Sequence, residues 1–297
     1  MTAYGVHTGL QNTTTAELQD LWRRIEDLGF DWISIWDHFY AADASGYHCL
    51  EAVSAHAALA CTTSRVRVGS LVYCAGYRHP AVLANAIATI DHLSDGRAEV
   101  GLGAGWAQLE YEAYGIPFGT TRGRLDLLDE YARVVRSLLH NRVTDHTGDH
   151  FTLTDARCEP APVQEHLPVW IGGAGEKRTL RIAAELADGW NVPFIDPPTF
   201  AHKRAVLHRH CEAVGRDPAE IRCAVNVGLA WDDESLRVQF GNIADFVRPG
   251  VLGGSDHEVV DRIGEYVDHG ADQVNIAIRA PWDLEALDRL APLLPLR

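Results

Sequence analysis

The chain has 297 residues, 46% of them hydrophobic, and 26 basic against 41 acidic side chains give it a net charge of −15. That length and apolar content suit the core of one α/β barrel, while the acidic balance argues against a nucleic-acid-binding surface or an anionic membrane partner. Six cysteines, at 49, 61, 74, 158, 211 and 223, form no C-x-x-C pair, so a reducing compartment with buried thiols is expected rather than a disulfide frame or a zinc site. The N-terminus has no basic or apolar leader and no apolar run is long enough to span a bilayer, which predicts a cytoplasmic protein.

Strand-like apolar runs alternate with amphipathic helical ones along the chain, the pattern of parallel βα units. Tyr4–Thr8 reads as the first strand. Thr14 or Thr15 caps a helix over 16–28, where Leu18, Leu21, Ile25 and Leu28 recur at helical spacing. A second strand, 32–36, ends in Asp37-His38-Phe39, and a loop over 40–48 leads to a small-residue helix over 50–60. Val66–Ser70 is the third strand, continued irregularly to His79-Pro80, and a helix covers 81–93. Ala98–Gly103 is the fourth strand. The long helix over 119–139 carries Arg122, Arg124 and Arg133 facing Asp126, Asp129 and Glu130 on a solvated face. Residues 141–168 read as an insertion with a hairpin near 150–153. Strands follow at 169–171, 189–192, 221–229 and 273–278, with helices over 176–186, 198–214, 256–269 and 284–293, and 230–255 reads as irregular. Eight strands and about eight helices predict a single (β/α)8 TIM barrel over residues 1–297, with insertions in its βα loops.

Active sites of such barrels lie at the C-terminal strand ends, and unusual residues gather there. Gly103 and Gly105 lack a Cβ, so the backbone can turn and approach a bound group. Trp106, Tyr111 and Tyr114 follow, with Glu110 and Glu112 between them. Together they resemble a cofactor-pocket wall, although a strand followed by a glycine-rich turn and a surface loop gives the same residues. Gly172-Gly173-Ala174-Gly175 opens a helix and suits an anion or phosphate. It lacks the G-x-G-x-x-G spacing, and a tight βα turn needs the same small residues. His38 is the best candidate for proton chemistry, since imidazole titrates near neutrality; otherwise Asp37 caps a turn and His38 only packs. Trp190, Asn191 and Arg279 also stand at strand ends. His79, His202, His208 and His210 read as structural or surface residues. His7 has no second histidine two residues on, so no metal site is expected, and no Gly-x-Ser-x-Gly elbow supports serine hydrolysis.

Trp36-Asp37-His38-Phe39, Thr63-Ser64-Arg65-Val66-Arg67-Val68-Gly69, Tyr77-Arg78-His79-Pro80-Ala81 and Asp95-Gly96-Arg97 resemble the bacterial-luciferase-like superfamily. So do the stretches from Gly101 to Trp106, Glu110 to Gly115 and Gly172 to Lys177, and the resemblance covers nearly the whole chain. It is closest to the branch that uses coenzyme F-420, a deazaflavin hydride carrier, and so implies an oxidoreductase moving a hydride to or from a small organic substrate. Other branches use FMN, which makes an FMN-dependent monooxygenase using reduced flavin and oxygen the alternative, with a non-enzymatic flavin-binding or metal-dependent barrel as a third. It implies a (β/α)8 homodimer with the cofactor at the C-terminal face and a small-molecule substrate. By position it implies that Asp37 and His38 contact the cofactor and that His38 is catalytic. A non-proline cis peptide would fall between Ser70 and Leu71 beneath the ring. Ala104, Gly105 and Trp106 would line the ring and its tail, and Gly172, Gly173 and Ala174 would hold the tail phosphate. The glycines from 100 to 118 would then be room for ring and tail. The sugar-phosphate dehydrogenases of the family carry a glutamate where Trp106 stands and a tryptophan where Ala42 stands, so that activity is not implied. Glu110 and Glu112 would face solvent.

Overall fold

The computed structural model describes residues 2–43 and 45–296; Met1, Ala44 (within the expected 40–48 loop) and Arg297 lie outside the described residues. The strands in chain order are β1 Ala3–Thr8, β2 Trp32–Ile35, β3 Arg67–Ser70, β4 Tyr73–Cys74, β5 Ala98–Gly103, β6 Thr144–Thr147, β7 Thr152–Ala156, β8 Val169–Gly172, β9 Gly189–Pro193, β10 Arg222–Leu229, β11 Val251–Leu252 and β12 Gln273–Ile278. Parallel pairing runs β1-β2-β3-β5-β8-β9-β10-β12 and returns to β1, which closes an eight-stranded barrel. Helices pack around it, as the alternating pattern predicts. The β6–β7 hairpin forms the expected insertion.

Local chemistry sets the outer layer. Thr14 accepts from Glu17 N while Glu17 reaches back to Thr14 N, a capping box that starts the helix Thr15–Asp27, and Leu18, Leu21, Trp22 and Ile25 of that helix are buried. His79 caps Pro80–Leu93, its Nδ1 accepting from Ala81 N at 3.2 Å. The helix Thr121–His140 keeps part of the expected solvated face, with Arg122 paired to Asp126 and Arg133 to Asp129, but Arg124 and Glu130 leave it. Its Arg124 donates from Nε to the Gly105 carbonyl at 3.1 Å and lies 3.7 Å over the Phe118 ring. Glu130 accepts from His150 N and Phe151 N at 2.9 and 2.8 Å and so ties down the hairpin.

Alternation along β5 sorts its side chains between two layers. Val100 and Leu102 join the core between barrel and helices, while a Cβ added at Gly101 or Gly103 would collide with Ser70 or Val72 across the sheet. Inside the barrel Trp32 and Trp170 stack with centroids 5.6 Å apart. Below them the fully buried Glu99 accepts from Trp170 Nε1, from Arg222 Nη2 at 2.6 Å and from Arg67. The stretch 230–255 is more regular than expected: it holds the helices Asp233–Phe240 and Ala244–Val247 and strand β11. Their apolar side, with Leu236, Phe240 and Val247, packs on Phe194 and Ala277 beside the barrel mouth.

Candidate active site

Beyond β2 the chain runs through Trp36, Asp37 and His38. Asp37 is buried and its carboxylate is consumed by protein. Oδ2 accepts from Cys74 N at 2.9 Å and from Arg78 Nη1 at 2.5 Å, and Oδ1 accepts from Arg78 Nη2 at 3.0 Å. This bidentate pair clamps the segment after β3 against the end of β2. Burial works against the Arg78 charge, but the hydrogen bonds and charge of Asp37 outweigh it and hold the guanidinium more firmly protonated than usual.

The clamped segment contains a non-proline cis peptide, placed between Leu71 and Val72 and so one residue later than the resemblance implies. Ser70 stays in the strand layer, exchanging hydrogen bonds with the Gly101 peptide, and Leu71 and Val72 project into the mouth. Val72 explains several glycines. A Cβ at Gly172 would come within 2.6 Å of Val72 Cγ1, and one at Gly103 would strike Cγ2. Gly105, at φ +77°, is pressed by Tyr111 and Cys74. Correcting the expectation, these glycines make room first for the protein's own wedge and its supports, and what they leave open borders the cavity.

His38 faces that cavity, and its Nδ1 lies 2.7 Å from Glu110 Oε1. Glu110 also accepts from Phe39 N at 3.0 Å and Tyr77 Oη at 2.7 Å, both on Oε2. The expectation that Glu110 faces solvent is overturned: it is 3% exposed. The reason is a short helix, Gln108–Ala113, that turns Glu110 and Tyr111 inward and leaves Glu112 outside. Burial alone would raise the Glu110 pKa, but the bonds from His38, Tyr77 and Phe39 N and the His38 charge hold it below the usual carboxylate range. Burial, helped by Glu110, pushes the Tyr77 hydroxyl far up, so it remains a donor. Trp106, 63% exposed, sets its ring edge-on to His38 at 5.2 Å.

A cavity of about 650 Å³ opens between these groups at the C-terminal strand ends, within the usual range of small-molecule sites. Of the residues singled out from sequence, Asp37, His38, Leu71, Gly103, Ala104, Gly105, Trp106, Gly172, Gly173, Asn191 and Arg279 line it. Ser70 lies beneath its floor and Ala174 packs at the edge of the core. Cys74, Tyr77, Asn226 and His7 also line it and were not anticipated. The Cys74 thiol is pushed up to about 11 by burial and lies 2.9 Å from Tyr111 Oη, so it is no thiolate nucleophile. Asn226 accepts from Asn191 and Asn275 at 2.9 and 3.1 Å, a buried amide row across β9, β10 and β12. His7 Nδ1 lies 2.8 Å from Ser34 Oγ; burial, with the Arg279 charge, lowers its pKa to about 3 and keeps the ring neutral. Its signal in sequence was its place in a short strand whose other residues are small or apolar. At the β8 end the helix Thr179–Leu186 starts three residues later than expected, and its first N–H groups have no side-chain cap. Among the described residues, no three His, Cys, Asp or Glu side chains are grouped to hold a metal ion.

Residues 1–241 match the model of the luciferase-like monooxygenase family. The chain belongs to that family. This luciferase-like chain is 32% identical over 225 residues to the pyrimidine monooxygenase RutA of Pseudomonas syringae pv. syringae, a match covering 73% of this chain and 59% of RutA. It is 37% identical over 133 residues to an uncharacterized Mycobacterium tuberculosis protein, covering 45% of this chain and 46% of that one. The matched part thus spans less than two thirds of either relative's length. A solved coenzyme F-420-dependent secondary alcohol dehydrogenase, in complex with an F-420-acetone adduct, superimposes with a TM-score of 0.87 at 19% identity, over 99% of this chain and 98% of that one. That is a likeness of fold.

Proposed function

We propose that this chain is a coenzyme F-420-dependent oxidoreductase that moves a hydride to or from a small organic substrate, with His38 as the proton-transfer group. The observation that carries the reading is the His38–Glu110 pair on the cavity wall. Glu110 is held by three donors and in turn holds Nδ1, which leaves the other ring nitrogen, Nε2, for the cavity. Hydride transfer at an alcohol or carbonyl carbon must be matched by loss or gain of a proton at its oxygen, and an imidazole oriented by a buried carboxylate can carry that proton.

The residues present fit a flavin-sized group. Ala104, Gly105 and Trp106 offer backbone and an aromatic face along one wall, with Leu71 and Val72 as a floor. Asp37 would act through Arg78 and Cys74 by fixing that floor. Gly172, Gly173 and Thr179 border the cavity, Thr179 opening a helix that has no side-chain cap, and that end would hold a tail phosphate, with Ala174 continuing the turn between them. The deazaflavin would supply a two-electron carrier with little oxygen reactivity. Ser70 would serve from below, by holding the Gly101 peptide.

A second reading, an FMN-dependent monooxygenase using reduced flavin and oxygen, draws on the 32% identity to a protein named as a monooxygenase. Fluorescence titration with coenzyme F-420 and with reduced FMN, followed by oxygen uptake, separates the two. Binding of the deazaflavin without oxygen consumption is expected. Tight binding of reduced FMN alone, with substrate-dependent oxygen uptake, would replace the first reading with the second.

A further inference from the structure

At the β12 end of the cavity a buried guanidinium has no anion bound to it. Arg279 is 4% exposed, and among the described residues its Nε and Nη1 have no hydrogen-bond partner. The chain places it firmly: Arg279 N donates to Gln239 Oε1 at 3.2 Å, and Gln239 Nε2 donates to the Pro281 carbonyl at 2.7 Å. The guanidinium lies 4.8 Å over the Trp36 ring and 5.3 Å over that of Phe240. Asp43 acts on it through space only, its Oδ1 accepting from Ser45 N instead. By contrast the half-buried Arg78 is paired with both Asp37 and Glu51. A buried charge without a bonded counter-ion is strongly unfavourable unless a ligand supplies one.

Arg279, His7 and Trp36 all line the cavity and stand on adjoining strand ends, of β12, β1 and β2. His7 sits against Trp36 with centroids 5.2 Å apart. In the tautomer whose Nδ1 accepts from the Ser34 hydroxyl, His7 carries its proton on Nε2 and offers a second donor to the cavity that Arg279 also lines. Phe194, Ile243 and Phe246 add apolar walls.

We propose that Arg279, with His7 as second donor, anchors a carboxylate on the substrate, so that this enzyme acts on small organic acids with an apolar body. This rests on the cavity being the seat of the oxidoreductase proposed above, and it names the substrate class. One guanidinium beside a neutral imidazole matches a monoanion; a phosphate dianion would call for further positive charge. Nor does the proposed cofactor-tail site use this group, because β8 stands three strands from β12, by way of β9 and β10.

The test is calorimetric titration of the cofactor-free protein with two matched pairs, benzoate against benzamide and hexanoate against hexanamide. Both acids should bind in the millimolar range and the amides about tenfold more weakly or worse, the usual advantage of a charge-assisted hydrogen bond. R279Q should abolish the preference for the acids and H7Q should reduce it, while coenzyme F-420 binding stays within about twofold of wild type. Equal binding of acid and amide by the wild type, absence of binding by both acids, or a preference that survives in a folded R279Q would overturn the proposal. The wild-type comparison decides even if R279Q does not fold. Preference for acids in a protein that binds neither coenzyme F-420 nor FMN would sink the cofactor reading and leave the carboxylate site standing.

Discussion

Glu110 accepts a hydrogen bond from a ring nitrogen, a hydroxyl and a backbone N–H, and each pins a different part of the cavity wall. Removing the His38 imidazole should lower turnover by roughly 100-fold or more while cofactor affinity changes little. Steady-state rates and a cofactor titration of H38A check this, and unchanged turnover would reduce His38 to packing. E110Q keeps the shape but loses the charge that orients His38. Its kcat should fall by about tenfold or more with KM little altered, because the substrate does not need Glu110 to enter the cavity. A raised KM with an unchanged kcat would instead make Glu110 part of the binding wall. His38 could be picked from sequence because it follows a strand at the correct end. Glu110 could not, since two glutamates two residues apart look equivalent until a helix turns one inward.

At the scale of elements, the strand between Ala98 and Gly103 and the segment from Leu71 to Cys74 act as one unit. Val72 fills space that Gly103 and Gly172 leave, while Asp37 and Arg78 hold the segment from the side. G103A should therefore cost about 1–3 kcal/mol by overpacking. In a V72A background the same change should cost markedly less, and urea unfolding of the four proteins of the cycle measures the difference. Equal costs in both backgrounds would mean that Gly103 serves the cavity alone. Strands and long helices were legible because apolar spacing reports directly on burial. The helices between 233 and 247 were not, because they are short, are interrupted at Gly241, and spend their buried apolar residues on a local contact with Phe194.

For the whole molecule, folding buries two neutral histidines. His7 sits at about 3 and His56, fully buried, at about 4; in both, burial is the main cause, against an ordinary value of 6.5. Both folded values lie below the unfolded one, so the unfolded chain takes up protons first as pH falls. Their stabilising share is complete above about pH 6.5 and declines toward the folded values, at about 1.4 kcal/mol per pH unit for each group. Urea unfolding at about pH 7 and pH 5 should reveal a loss on the order of 2 kcal/mol per histidine. In H56Q about half of that loss should vanish, and an unchanged loss would assign the acid sensitivity to other groups.

What the sequence by itself determined is the alternation of strand and helix, hence a barrel, and the set of residues at its C-terminal strand ends. Those follow from periodicities of two and 3.6 that are local properties of the chain. The family resemblance carried by its motifs agrees with the family match over residues 1–241. Only the tertiary structure decided which side chains meet. Glu110 reaches His38 across 72 positions, Asp37 reaches Arg78 across 41, and Val72 claims the space that glycines on two other strands appeared to reserve for a ligand. Arg279 and His7, from opposite ends of the chain, adjoin because β12 pairs with β1 when the barrel closes. Such contacts depend on closure and on the turn of a short helix, and neither leaves a periodic trace in the sequence.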